Sequence, residues 1–568
     1  NAKYLMSRNA TPVLSNLQIA DCFKPFRRFV LELLADSDRG KFPSDKEITF
    51  ARFKRLFNGT PAAGEEGLQN QLPRRAGIGP ELCWHAIRTI IKGRDPDRVV
   101  DPNSYPDLQR DDRVLVPDTF KFIYENIWER WYQPRVCELG GYWDDQDVVR
   151  AVLNAPQSPP PRYPAIFCDE AQDFTRLDLR LILQLWAMSP YDASLVRPLS
   201  VPFMFAGDPL QTLSPTGFRW DALKSAFHDE ILRGIDPQEK TQLQISFVPL
   251  RQNYRSSRPI VRLLNLVQAW RARLFDLKYI HPQRAWGTAQ GLEPQKLVLG
   301  QDISHEALAN QIVNTPVIIP AEEGEERAFI EKNSDLKAAL GINPTASFNT
   351  VPKNIYTAAS IKGLEFERVV LYRFGDAADP KMWQLLEGKA EERPVAEEYF
   401  FNKLYVAASR ATKQLIIIDT KEGDQRLWHR MEDISPIEHL ADQSWPEFIL
   451  PLPIRSGGSE TIAEFHNENP LNIADELRTK GMSQRNAEHL QKAAQYFRSI
   501  DMRREALICQ AFALKFDSDW LEAGRTFEEL GKEYPESEGD IEALSCYWQG
   551  GCDRDLVRLP FPRLRSGH

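Results

Sequence analysis

Two adjacent carboxylates, Asp169 and Glu170, follow the short apolar run Ala165-Ile166-Phe167-Cys168. A run of that kind forms a buried strand of a parallel sheet. It puts both acids at the strand's carboxyl edge, where open α/β sheets place their ligands. Two acids there suit metal-assisted phosphoryl transfer, one holding Mg²⁺ against a nucleotide's β- and γ-phosphates and the other orienting the attacking water. Asp169 suits the first task and Glu170 the second. The same pair also reads as an acidic helix N-cap facing the positive end of a helix dipole.

Further groups with matching chemistry follow in order. Val201 to Ala206 is a second strand leading into Gly207-Asp208-Pro209-Leu210-Gln211-Thr212. The glycine permits a tight exit, and Gln211 offers a neutral amide that senses a γ-phosphate or its water without repelling it. In Leu250-Arg251-Gln252-Asn253-Tyr254-Arg255-Ser256-Ser257, the Arg255 guanidinium suits phosphate and the Tyr254 ring suits a base. Thr357 to Phe366 precedes the strand Arg368 to Tyr372, and Leu404 to Ala411 precedes the strand Gln414 to Ile418.

Taken in this order, the residues resemble motifs II to VI of UvrD/Rep-like superfamily 1A helicases, from roughly Tyr163 to Asp419. The resemblance implies two RecA-like parallel-sheet domains of P-loop type that bind ATP and Mg²⁺ and move 3′ to 5′ on single-stranded nucleic acid, DNA before RNA. It implies that Asp169 binds the metal, Glu170 is the catalytic base and Gln211 couples the γ-phosphate to the nucleic acid. Tyr254 would stack the adenine, Glu365 after Gly363 would contact the ribose, and Arg255 and Arg410 would reach the γ-phosphate. Gly217-Phe218-Arg219 occupies the place of the family's Gly-Trp-Arg, which makes Phe218 the expected base-stacking ring, with Trp220 sharing or replacing it. The alternative packs both rings against the domain floor.

The sequence departs from the family twice. Ala359 stands where motif V carries a histidine, and no Gly-x-x-x-x-Gly-Lys-[Ser/Thr] occurs in the chain. Either the phosphate loop lies upstream of Asn1, with Tyr4-Leu5-Met6 a sheet strand entered midway, or hydrolysis has been lost. The retained Glu170, Gln211, Arg255 and Arg410 favour the first.

These residues need elements to hold them. The expected organisation is a partial first RecA-like domain at 1–40, a helical insertion at 41–158, the rest of the first domain at 159–248, a second RecA-like domain at 249–453 and a helical region at 454–568. In the insertion, Phe122, Tyr124, Ile127, Trp128, Trp131 and Tyr132 have helix-compatible spacing and read as core. The proline-rich stretch Pro156 to Pro164 marks a boundary. Basic stretches at Phe26-Arg27-Arg28, at Arg52 to Arg55 and at Arg88 to Arg94 are either solvated helix faces or local positive charge for a channel. Asp144, Asp145 and Asp147 read as an acidic helix start more simply than as a metal site. Trp84 to Arg88 and Tyr142 to Arg150 more weakly resemble large TPR- and ankyrin-repeat-containing helicase-like proteins.

Between Ser257 and Thr357 there is room for strands such as Val317-Ile318-Ile319 but not for a large second helical insertion. Ile454 to Glu460 has the composition of a flexible linker. Beyond it, Ala493-x-x-x-Phe497 and Ala523-Gly524-x-x-Phe527 resemble tetratricopeptide-like helical pairs, a possible surface for a protein partner.

The bulk properties agree. A chain of 568 residues with 42% hydrophobic and 27% charged residues has room for several cored domains, and its net charge of −9 excludes indiscriminate coating of nucleic acid. Seven scattered cysteines without CxxC pairs suggest reduced thiols, an intracellular setting in cytoplasm or nucleus, and no zinc. No apolar run is long enough for a membrane span.

Overall fold

The computed structural model describes residues 24–555 apart from 61–64, 69–71, 109–114, 156–162, 187–202, 214–222, 228–245, 287–290, 344–347, 388–393, 441–442, 457–468 and scattered single or paired positions. It forms two compact units, Asn1–Val248 with Ala390–Tyr399, and Pro249–Lys389 with Phe400–His568. Tyr4 to Met6, Phe218, Arg219 and Trp220 lie outside the described residues.

In the first unit, helices α1 (Phe26–Leu33), α2 (Phe50–Asn58), α3 (Pro80–His85), α4 (Pro117–Phe122) and α5 (Asp145–Leu153) precede strand β1 (Ile166–Cys168), helix α6 (Arg176–Gln184) and strand β2 (Phe203–Phe205). Two of these helices change winding. α3 continues as a π-helix over Ala86–Lys92, and α4 as one over Ile123–Leu139 that contains Pro134. π-Helical winding is rare and short in most proteins. The aromatic stripe is core as expected: Ile127, Trp131 and Tyr132 are fully buried, and Phe53 lies 5.7 Å from the Trp131 ring and 5.8 Å from the Tyr132 ring. A second cluster joins Val148, Val149 and Val152 of α5 to Leu177 and Leu181 of α6. The two sides of the proline-rich stretch therefore share one core.

The basic stretch at Arg88 to Arg94 is neither a solvated face nor a channel lining. Arg88 is 7% and Lys92 2% exposed; Arg88 pairs with the partly exposed Asp145 and faces the buried Asp178, and Lys92 pairs with the buried Asp144. Burial of a cation demands such partners, and these come from 52 or more positions downstream. The aspartates that supply them act as the acidic helix start: Asp144 caps α5 in a reciprocal capping box with Asp147. Among the described residues, no group of three or more His, Cys, Asp or Glu side chains could hold a metal.

The second unit is built on a six-stranded, wholly parallel sheet. A short parallel ribbon pairs β3 (Gln252–Asn253) with β4 (Arg284–Ala285). The main sheet has β5 (Gln295–Val298), β6 (Val317–Ile319), β7 (Ile355–Thr357), β8 (Phe366–Tyr372), β9 (Ala411–Asp419) and β10 (Arg455–Ser456), in the spatial order β10-β5-β9-β8-β6-β7. Central strands of a parallel sheet are covered on both faces and so read as continuous apolar runs. Val369, Val370, Leu371 and Leu415 to Ile418 are accordingly fully buried. Around the sheet lie α7 (Arg258–Phe275), α8 (His305–Ile312), α9 (Glu326–Lys332), α10 (Ser334–Ala339) and, from Phe400 on, α11 (Val395–Ala408), whose start up to Tyr399 belongs to the first unit. The expected linker is partly sheet: Arg455 and Ser456 pair with Gln295 and Lys296, a backbone pairing that side-chain composition does not announce.

Among the described residues, five α-helices follow the sheet: α12 (Pro470–Gln484), α13 (Ala487–Ser499), α14 (Arg503–Phe516), α15 (Trp520–Glu533) and α16 (Gly539–Gln549). Alternate helices start at Pro470 and Arg503, and at Ala487 and Trp520, 33 residues apart in each case. Their small residues are needed for close packing, since a Cβ at Gly524 would lie 2.3 Å from the Tyr547 ring. Ala493, Phe497, Ala523 and Phe527 are buried as their pattern predicts.

Candidate nucleotide site

In the first unit, β1 delivers Asp169 and Glu170 at its carboxyl end, both exposed; it is not the buried strand its apolar run predicts, for Ile166 and Cys168 are half-buried and Phe167 is 69% exposed, with β2 alone pairing with it among the described residues. Strands β1 and β2 run parallel, with Cys168 opposite Phe205, so the segments that follow them emerge side by side. Glu170 sits in the left-handed region at φ 53°, a conformation that costs a non-glycine residue on the order of 1 kcal/mol. Its N–H donates to Asp169 Oδ1 at 3.0 Å.

The neighbouring Gln172 has no exposed surface. Its Oε1 accepts the Asp208 N–H at 2.9 Å, which turns its Nε2 towards Glu170 Oε2 at 2.5 Å. Gly207 is required by this approach, because a Cβ there would lie 2.5 Å from Gln172 Oε1. Asp208 Oδ2 in turn accepts from Gln211 Nε2 at 3.1 Å. One chain of hydrogen bonds thus runs from Glu170 through Gln172 and Asp208 to Gln211. The sequence reading assigned no role to Gln172, although its place in Asp169-Glu170-Ala171-Gln172 was the available signal.

A buried ionic network fixes the turn that follows. Thr175 caps α6 and donates to Gln146 Oε1 at 2.8 Å, while Gln146 Nε2 donates to Asp178 at 3.2 Å. Arg88 binds Asp145 through Nε at 3.1 Å and lies 3.8 Å from Asp178. Lys92 binds Asp144 at 2.6 Å, and the Tyr132 hydroxyl donates to the same carboxylate at 2.9 Å. Burial pushes the Asp178 carboxyl up to about 6 against the pull of Arg88. Burial, with Asp147 adding to it and Lys92 opposing, lifts Asp144 to about 6 as well.

In the second unit, the predicted residues gather at the amino ends of β8 and β9, the opposite edge from that used by Asp169 in its own unit. Ser256 donates to Ala411 O at 2.8 Å and Ser257 N–H to Thr412 O at 2.8 Å, which sets the start of α7 against β9. Phe366 N–H donates to Arg410 O at 2.9 Å, joining the two strand entrances. Arg255 Nε then meets Glu365 Oε1 at 2.6 Å. Gly363 holds φ 86°, the left-handed conformation that glycine adopts freely.

Arg410 is 1% exposed and donates to Val406 O at 3.0 Å, Leu364 O at 3.3 Å and Ser409 Oγ at 2.8 Å. In this arrangement it ties the entrance of β9 to the segment before β8. Tyr254 is 70% exposed and lies 5.0 Å from the Trp286 ring, a second exposed aromatic that the sequence reading did not single out. Ala359 is exposed beside a turn closed by Thr357 and Ser360.

The structure therefore brings Asp169, Glu170 and Gln211 together in one unit, and Arg255, Gly363, Glu365 and Arg410 in the other, with Tyr254 next to Arg255.

Residues 329–422 match the UvrD-like helicase C-terminal domain family. That stretch contains β7, β8, α11 and β9, and with them Gly363, Glu365 and Arg410. Over 342 residues, 57% of the chain, the sequence is 26% identical to human TPR and ankyrin repeat-containing protein 1. The chain spans 11% of the length of that relative. Among the described residues, no helix is long and apolar enough to cross a membrane.

Proposed function

We propose that this chain is the motor region of an ATP-dependent superfamily 1 helicase, with two RecA-like domains moving 3′ to 5′ along single-stranded nucleic acid, DNA before RNA. The observation that carries it is that Arg255 meets Glu365 at the entrances of β8 and β9, where Glu365 and Arg410 belong to the stretch matching a UvrD-like helicase C-terminal domain.

Asp169 fits a magnesium ion, which takes one or two carboxylates and otherwise keeps water and phosphate oxygens. ATP with that ion would supply the phosphoryl group and the charge that the site balances. Glu170 is oriented by Gln172 to accept a proton from the attacking water, and Gln211 carries the state of that site to the nucleic acid. Tyr254 offers the ring for adenine, and Glu365 a carboxylate for the ribose hydroxyls. Arg255 supplies a guanidinium for charge that builds on the γ-phosphate, and Arg410 a second once it leaves its backbone acceptors. Phe218, Arg219 and Trp220 are assigned to the single strand from sequence alone.

A second reading is a nucleic-acid-sensing ATPase switch that signals through the C-terminal helices to a protein partner. The placement of those helices on the motif V segment favours it, as does Ala359 at the family's histidine position. Strand separation and ATPase, each measured on the full-length protein with single-stranded DNA and with RNA, divide the two. Stimulated ATPase with unwinding supports the motor; stimulated ATPase with no unwinding leaves the switch. An ATPase rate that neither nucleic acid changes removes both.

A further inference from the structure

The first two C-terminal helices grip the motif V segment by its backbone. Glu476 on α12 accepts the Glu365 N–H at 3.0 Å, and Lys480, one turn on, donates to Gly363 O. From α13, His489 Nε2 meets Ser360 O at 2.7 Å and Lys492 Nζ donates to Ile355 O at 2.7 Å. Lys492 also lies 3.9 Å from the centre of the Tyr356 ring. His489 and Lys492 are 2% and 4% exposed, so these contacts are made out of water, where charge-assisted bonds are strongest. In return, Lys353 reaches Ser499 Oγ at 2.7 Å and the Tyr496 ring at 4.4 Å.

Backbone acceptors and one backbone donor are the targets, which means that the helices select a conformation of the loop. The two most distal contacts fall on Gly363 and on Glu365. Gly363 is the position of the segment that needs a left-handed backbone. Glu365 carries the carboxylate that meets Arg255. A side chain that fixes the Glu365 N–H fixes where its Cα, and so its carboxylate, starts from.

We infer that Glu476 and Lys480 are positioning residues of the nucleotide site, holding the loop so that Glu365 faces Arg255 and the ribose of a bound nucleoside triphosphate. The inference rests on the reading of Glu365 and Arg255 as nucleotide contacts. It makes the C-terminal helices part of the site's support as well as a surface of their own.

The test uses the full-length protein carrying Glu476→Ala, Glu476→Gln or Lys480→Met. Gln keeps a carbonyl that accepts the Glu365 N–H, and Met keeps the apolar stem of Lys480 for packing. Loss of a charge-assisted bond that aligns a binding group predicts a KM for ATP raised about 5- to 30-fold in Glu476→Ala. Turnover at saturation should stay within about twofold of wild type, since Glu365 acts in binding. Glu476→Gln should restore KM to within about threefold, and Lys480→Met should behave as Glu476→Ala does. Amide hydrogen exchange should accelerate at Ser360 to Glu365 in both damaging variants and remain unchanged in β8.

An unchanged KM with unchanged loop exchange, in a protein whose wild type hydrolyses ATP, overturns the inference. Failure of Glu476→Gln to rescue overturns it also, because an acceptor for the Glu365 N–H would then be present without restoring the site. A wild type that binds no ATP instead overturns the functional reading and the nucleotide half of this inference, while loop exchange still decides whether the helices hold the loop.

Discussion

Arg255 Nε lies 2.6 Å from Glu365 Oε1, across 110 positions of chain, with the two side chains 34% and 44% exposed. An ion pair that wet contributes less than about 1 kcal/mol to stability. Its geometry is better understood as two groups parked against each other where a ligand can part them. Arg255→Ala should therefore leave the unfolding midpoint nearly unchanged while lowering ATP turnover about 10²- to 10³-fold, the cost of losing one donor to transition-state charge. Steady-state ATPase with parallel nucleotide binding checks this. An affinity loss as large as the loss of turnover counts against the assignment.

Gln172 holds Glu170 and Asp208 at once, through the two ends of a single amide. Gln172→Glu keeps the shape but sets a second carboxylate beside Glu170 and turns the Nε2 donor into an acceptor. Its expected phenotype is weak turnover with nearly normal ATP binding. Gln172→Ala should lower stability by about 1–3 kcal/mol, by stranding the Asp208 N–H, and Gln172→Glu should lower it too, because it buries a second carboxylate beside Glu170. Urea unfolding measures both, and a Gln172→Ala variant as stable as the wild type would show that the amide does not bridge.

Arg88 is the cation shared by Asp145 and Asp178 beneath the turn after Glu170. Arg88→Met removes the charge and leaves two acids facing each other, at an expected cost of about 3–5 kcal/mol. Adding Asp145→Asn and Asp178→Asn should recover most of it, because the penalty lies in uncompensated charge and not in lost volume. A triple variant no more stable than the single one would assign the loss to packing.

The docking of α13 on the Ile355–Ser360 segment should weaken on acidification. Burial lowers the His489 pKa, with the Ser360 carbonyl and Glu488 opposing and Lys492 and Lys480 adding to the effect. Ser360 O only accepts, so the neutral ring carries its proton on Nε2. A histidine whose folded pKa is depressed contributes stability that is present above its unfolded value, about 6.5, and is lost as pH falls from there towards the folded value. The urea midpoint should drop in that window for the wild type. In His489→Gln, which can still donate to Ser360 O, the drop should be smaller; an identical pH profile in the variant would exclude His489 as its source.

Elements with continuous apolar runs were legible in the sequence: β1, β8 and β9 lie where Ile166, Val369 to Leu371 and Leu415 to Ile418 announce them. The aromatic stripe and the C-terminal helices were legible for the same reason, since a periodic pattern is local. What escaped was non-local. The charges of Arg88 and Lys92 read as surface because their partners lie more than 50 positions away. The edge strand Arg455–Ser456 and the grip of α12 and α13 on the segment from Ile355 to Glu365 use backbone groups, which every residue has and no composition reveals. Individual residues of the site were named because their types are rare and ordered. The hydrogen-bonded path through Gln172 needed coordinates.

One margin of the main sheet is held by a C-terminal helix. Lys492 of α13 seizes Ile355 O in the margin strand β7, while the margin strand β10 closes the other side. A margin strand has a neighbour on one side only and is the first to peel away. The ammonium bound to Ile355 therefore acts as a clasp on β7, so that unzipping the sheet from that border requires α13 to let go first.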